Sequence, residues 1–249
     1  MSSLETRKIE PQSGTTVTLG AGGDTVLVSA DQLKTNTVKD AGGNTLFTSD
    51  GAGTLSSINA AFPGSMTFIS SQTAPAGTSS LSFTSGIDST YDEYVFYCLN
   101  MNPSVGGAGA DGPYFQWQCN KSGQSGFNET ITSTAFGCYN SENPAGSNNL
   151  AYSTGMDQAQ GSGYQYITGN DGSASDQGSC CELRLYNPSS TTYVKHFICH
   201  ASWSNDDDPP YAWQLFTAGY VNVTGALTEF DFKMSSGTFS GTVYLYGIK

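Results

Sequence analysis

Strict two-residue alternation of apolar and polar side chains, recurring in short stretches, constrains this chain more than any other feature of its sequence. Phe115, Trp117 and Cys119 fall on one side of a pleat, Gln116 and Gln118 on the other. Cys181, Leu183 and Leu185 oppose Glu182, Arg184 and Tyr186, and Phe230, Phe232 and Met234 oppose Asp231 and Lys233. Only extended strands send successive side chains to opposite faces, so each stretch reads as one strand of a half-buried antiparallel sheet. Strands are expected at residues 66–71, 81–84, 93–100, 114–119, 134–139, 164–168, 181–187, 192–203, 212–221, 228–234 and 241–248. Clusters of Gly, Pro, Asn and Ser at 103–113, 140–149, 169–178 and 205–210 supply the turns between them. No segment reads as a long helix. The expectation is an all-β chain whose residues 63–249 form an antiparallel, jelly-roll-like β-sandwich head.

The first sixty residues differ. Phe47 is their one aromatic, and the core Ala21-Gly22-Gly23-Asp24-Thr25-Val26 returns twenty residues later as Ala41-Gly42-Gly43-Asn44-Thr45-Leu46, with a degenerate third copy over residues 50–56. Gly-Gly-Asp and Gly-Gly-Asn are turn signals between short strands. Units this thin in apolar residues cannot bury a core alone, and other chains are the better source of neighbours. Residues 13–62 are therefore read as a β-repeat stalk wound with symmetry mates, the alternative being a flexible linker. Residues 1–12, with Arg7 and Lys8, are left as a docking segment.

Charge excludes one class of partner. The chain has 9 Lys+Arg against 21 Asp+Glu, net −12, and between Lys39 and Arg184 the single cation is Lys121. No basic patch for nucleic acid can be assembled from that stretch. No run of about 18 apolar residues suggests insertion into a membrane. The N-terminus lacks the apolar region of a secretory signal, so assembly is expected to begin in a cytoplasm and the six cysteines to stay free as small hydrophobes. No C-x₂₋₄-C pair points to zinc, no cofactor motif is present, and no metal or cofactor is expected. His196 and His200 lie four apart on one predicted strand and share a side with Ile198, which suits packed or interface residues better than a catalytic pair.

The sharpest local feature is Asp206-Asp207-Asp208, set between Trp203 and the pair Tyr211 and Trp213. Two readings stand: a loop at the sandwich tip that contacts a cation or stacks a glycan on its aromatic faces, or, preferred, a solvated loop beside core tryptophans.

Three ordered motifs add a resemblance. The segments Phe83-Thr84-Ser85-Gly86-Ile87-Asp88-Ser89-Thr90-Tyr91-Asp92-Glu93-Tyr94-Val95-Phe96 and Leu185-Tyr186-Asn187-Pro188-Ser189-Ser190-Thr191-Thr192-Tyr193-Val194-Lys195-His196-Phe197, and the ending Phe232-Lys233-Met234-Ser235-Ser236-Gly237-Thr238 followed by Gly241-Thr242-Val243-Tyr244-Leu245-Tyr246-Gly247-Ile248-Lys249, resemble structural proteins of marine tailed bacteriophages, cyanophages especially. The resemblance implies a component of the virion exterior. It implies a homotrimeric fibre or spike with a β-sandwich head, its partners being itself, capsid or tail proteins and a host-surface glycan, with no catalytic residue carried over. A capsid decoration protein is the alternative, and a polysaccharide depolymerase the least favoured.

Overall fold

The computed structural model describes residues 35–52, 55, 56, 58, 66–106 and 112–249, divided between a unit within 1–62 and a unit spanning 63–249. No helix occurs among the described residues. In the first unit, β1 (Thr37–Lys39), β2 (Thr45–Ser49) and β3 (Leu55–Ser56) form a three-stranded antiparallel sheet. The second copy of the repeat is thus a hairpin, as its spacing predicts. Asp40 closes the turn, accepting the Asn44 amide at 2.8 Å, and Gly43 takes the left-handed φ of 84° that its position requires. No residue of this sheet whose burial is described is buried. The first repeat copy, Arg7 and Lys8 lie outside the described residues.

The second unit is a sandwich of unequal sheets. Eight strands run in the order β4 (Thr67–Thr78), β15 (Phe239–Ile248), β6 (Glu93–Pro103), β11 (Ser179–Tyr186), β12 (Lys195–Ser204), β13 (Tyr211–Val221), β8 (Ile131–Ser141) and β9 (Asn148–Tyr152). Four more run in the order β10 (Gln165–Tyr166), β7 (Phe115–Lys121), β14 (Leu227–Met234) and β5 (Leu81–Phe83). Every pairing is antiparallel.

The core lies between the sheets and is aromatic. Phe96 meets Phe230 and Phe232 with ring centroids 5.1 Å apart, and Trp117 meets Phe197 edge-on at 5.0 Å. Each fully buried Phe or Leu here contributes about 1.5–3 kcal/mol relative to exposure. β12 follows the alternation rule along its whole length, with Lys195, Phe197, Cys199, Ala201 and Trp203 inward and His196, Ile198 and His200 outward. The inward Lys195 has its ammonium on the carbonyls of Tyr193 and Val223 at 2.7 and 3.1 Å.

Four expectations need correction. β7 is buried on both faces, not one, because the chain at Phe127–Glu129 and again at Ser162–Gly163 hydrogen-bonds across its polar side. Gln118 is fully buried there, its amide nitrogen donating to Glu129 and Gly163 carbonyls, each at 2.9 Å. Asp231 of β14 is likewise covered, accepting from Ser82 Oγ and Tyr164 Oη. β9 occupies residues assigned in part to a turn cluster, and Cys180 is exposed rather than packed. The remaining cysteines are free, Cys98, Cys119, Cys181 and Cys199 being buried and Cys138 half-buried.

Candidate functional site

The short sheet covers only part of the long one. Toward β13, β8 and β9 the inner face of the long sheet extends past it, and a small separate cluster of Ala135, Trp203 and Leu215, with Met156 and Trp213 against it, fills that end.

The hairpin β12–β13 builds the site. Its register sets Trp203 directly opposite Trp213, both on the inner face, with rings stacked at 5.7 Å and 11°. Tyr139 of β8 continues the row at 4.5 Å from Trp213, and Tyr211 meets Tyr139 edge-on at 5.4 Å. Cross-strand aromatic pairs of this kind add about 0.5–1.5 kcal/mol beyond the area they bury.

The acidic loop between these strands is held from within. Asn205 is fully buried; its side-chain oxygen accepts the Tyr211 amide at 2.9 Å and its side-chain nitrogen donates to Asp207 at 2.6 Å. Asp206 turns the other way and accepts from the Ser173 amide and hydroxyl at 3.0 and 3.3 Å. Asp208 is exposed and precedes a cis bond to Pro209. Asp206 and Asp207 are therefore directed to different partners instead of one point. Among the described residues no group of three His, Cys, Asp or Glu side chains is arranged to hold a metal ion.

A cavity of about 290 Å³ opens at this end of the sandwich, lined among others by Trp203, Trp213, Asp207, Met156, Asn170 and Tyr114. Its volume suits one small ring-shaped ligand. The segment 169–170 forms part of its wall and is tied down by the next residue. Asp171 is fully buried, with Oδ2 accepting from Thr168 Oγ1 at 2.8 Å and Ser179 Oγ at 3.3 Å. Burial pushes its carboxyl well above the usual carboxylate range, the hydroxyls offsetting only part of the effect. Gly169 passes so close to the indole of Trp203 that a Cβ there would lie 2.8 Å from Cζ2.

Of the six residues singled out by sequence, the structure brings Trp203, Asp207 and Trp213 onto this cavity. Tyr211 joins through the aromatic row, Asp206 braces the loop, and Asp208 stands apart. Trp203 is also buried, so it is at once a core residue and a wall of the pocket. Sequence reasoning missed Tyr139, Met156, Gly169 and Asn170. The alternation in β8 places Tyr139 on the inner face and offered a signal for it; the others sit in a segment with no periodicity.

The arrangement suits binding. Flat indole faces accept the apolar face of a ring, and Asp207 offers carboxylate oxygens to ligand donors. The indole N–H groups of Trp203 and Trp213 are buried without an acceptor among the described residues, as is that of Trp117 in the main core. His196 and His200 lie on the opposite face of the sheet from the cavity, His196 beside Tyr220 and His200 stacked on Phe216 at 4.2 Å. No protein-family model matches the chain, and no curated protein matches it in sequence.

Proposed function

We propose that this chain is a non-enzymatic structural component of a tailed-phage virion exterior. In this reading it is a homotrimeric fibre or spike, docked through residues 1–12 with Arg7 and Lys8, whose jelly-roll-like head contacts a host-surface glycan. The observation that carries the binding half is the cavity where Trp203, Trp213 and Asp207 meet. Stacked indoles beside a carboxylate fit a neutral, hydroxylated ring, and the neighbouring Asp206 and Asp208 disfavour an anionic one. The stalk half is supported by β1–β3, a sheet too thin to bury a core of its own. The three sequence motifs support the virion assignment, and residues 83–96 and 185–197 supply core positions of the head, among them Phe83, Phe96, Leu185 and Phe197.

The test is binding of the full chain to an array of neutral and acidic host polysaccharides. Neutral sugars are expected to be retained and then lost in Trp213→Ala; a wild-type chain that retains none refutes the glycan contact.

The shortness of the repeat segment, residues 13–62, permits capsid decoration as a second reading. Copy number separates the two. Decoration requires on the order of hundreds of copies per particle to match lattice symmetry, whereas a fibre requires a few tens at most. Release of reducing ends from host polysaccharide would overturn the non-enzymatic assignment.

A further inference from the structure

The outer face of the long sheet is unlike the rest of this acidic chain. From β12 through β13 and β8 to β9, no outward-facing position carries Asp, Glu, Lys or Arg, although the chain holds 21 acids. The register instead builds a ladder of rings. Phe136 stacks on Phe216 at 5.1 Å and 14°, and Phe216 stacks on His200 at 4.2 Å and 6°. Around it Leu150 is 69% exposed, Tyr152 52%, Phe136 47% and Ile198 46%. Charge returns only at the border, where Arg184 pairs with Glu93 and Glu182, and where Asp157 accepts from Tyr152 Oη at 2.5 Å. An apolar centre without charge inside a charged rim is the composition of a protein interface.

We propose that this face is where one head packs against a second copy of the same chain, an inference that rests on the homo-oligomeric reading above. Three observations name the occupant. First, copies of a chain with net charge −12 repel, and burying carboxylates without partners is costly, so copies can meet closely only through a face free of acids. This face is free of them. Second, no residue of the β1–β3 sheet whose burial is described is buried, so the described part of that unit makes no core of its own and suits the wound stalk of the reading above. Sister chains joined there hold their heads at roughly millimolar effective concentration, at which a modest apolar patch suffices. Third, β9 ends the sheet with every residue exposed and with neither charge nor proline in Asn148–Tyr152. An edge without such protection is a template for association unless it is covered.

The experiment is hydroxyl-radical footprinting of the full chain, read by mass spectrometry, alongside sedimentation. Phe136, Leu150, Tyr152 and Ile198 are expected to lose labelling in the oligomer, while Tyr193, 70% exposed in a loop, labels freely as the internal control. The double variant Phe136→Glu/Ile198→Glu alters two exposed side chains and leaves the core intact; it is expected to restore labelling at Leu150 and Tyr152 and to weaken association. A wild-type chain that sediments as a monomer at every concentration overturns the oligomeric reading and this inference together. An oligomer in which the four residues label as fast as Tyr193 overturns this inference alone. So does protection that appears only in whole virions, which would assign the face to a capsid or tail protein.

Discussion

Replacing Asp171 with Asn asks whether a protonated carboxyl anchors the wall of the tryptophan pocket. In the fold, Asp171 Oδ2 takes two hydroxyl hydrogen bonds while Oδ1 has no partner among the described residues, and burial holds the proton on well above the ordinary value of 3.8. The unfolded chain releases that proton near pH 4. Folded Asp171 therefore binds more protons than unfolded Asp171 from about pH 4 up to its raised folded value. Its contribution to stability is complete below that window and is lost as pH rises through it, at about 1.4 kcal/mol per pH unit. Asn keeps the shape and the acceptor oxygen but cannot ionise. Its amide nitrogen replaces the unpartnered oxygen, a penalty of about 1–3 kcal/mol that does not vary with pH. At pH 4 the variant should be the less stable protein. Each unit of higher pH within that window should then close the gap. For a domain of this size the gap in melting temperature should move by about 3–6 °C per pH unit. Thermal unfolding of both proteins from pH 4 to 7, followed by circular dichroism, reads it directly. Parallel curves, with the gap unchanged across the range, would refute a buried protonated Asp171.

Other outcomes follow from the packing. Gly169→Ala forces a methyl group to 2.8 Å from the Trp203 ring and should cost about 1–3 kcal/mol in thermal unfolding, with loss of retained glycan. Leu183→Ala, at a fully buried position in the middle of the long sheet, should cost about 2–5 kcal/mol in denaturant unfolding. Iodoacetamide should modify Cys180 first, because that thiol is exposed. Cys119 and Cys181, whose thiols burial pushes well above 9, should react only on unfolding; so should Cys199, raised by its hydrogen bond with Cys181 and by burial. Early modification of Cys181, mapped by mass spectrometry, would contradict its inward packing.

Local pattern carried much of this architecture. The alternation in β11 predicts that Cys181, Leu183 and Leu185 point inward, and the structure agrees at each of them. The same rule misjudged β7, since whether Gln116 and Gln118 meet water depends on a loop folding over them, and strand periodicity holds no trace of that loop. β9 escaped notice because Asn148 and Asn149 are turn-forming residues, held here in a strand by pairing with Tyr139 and Asn140. The pocket was half legible. Trp203 and Trp213 flank one loop at distances that make them partners once that loop closes a hairpin, which the run Asn205–Pro210 suggests. Met156 and Asn170 reach the site through long-range contacts that sequence spacing does not encode.

The overhang of the long sheet beyond the short one gives this head a division of labour. The main cluster around Phe96, Trp117 and Phe230 lies under the four-stranded sheet, away from the tryptophan pair. Exchanges at Met156, Asn170 or Asp207 therefore leave the main cluster of aromatic rings in place. If the pocket binds glycan as proposed, its lining can be rewritten for new ligands while the scaffold that presents it stays constant.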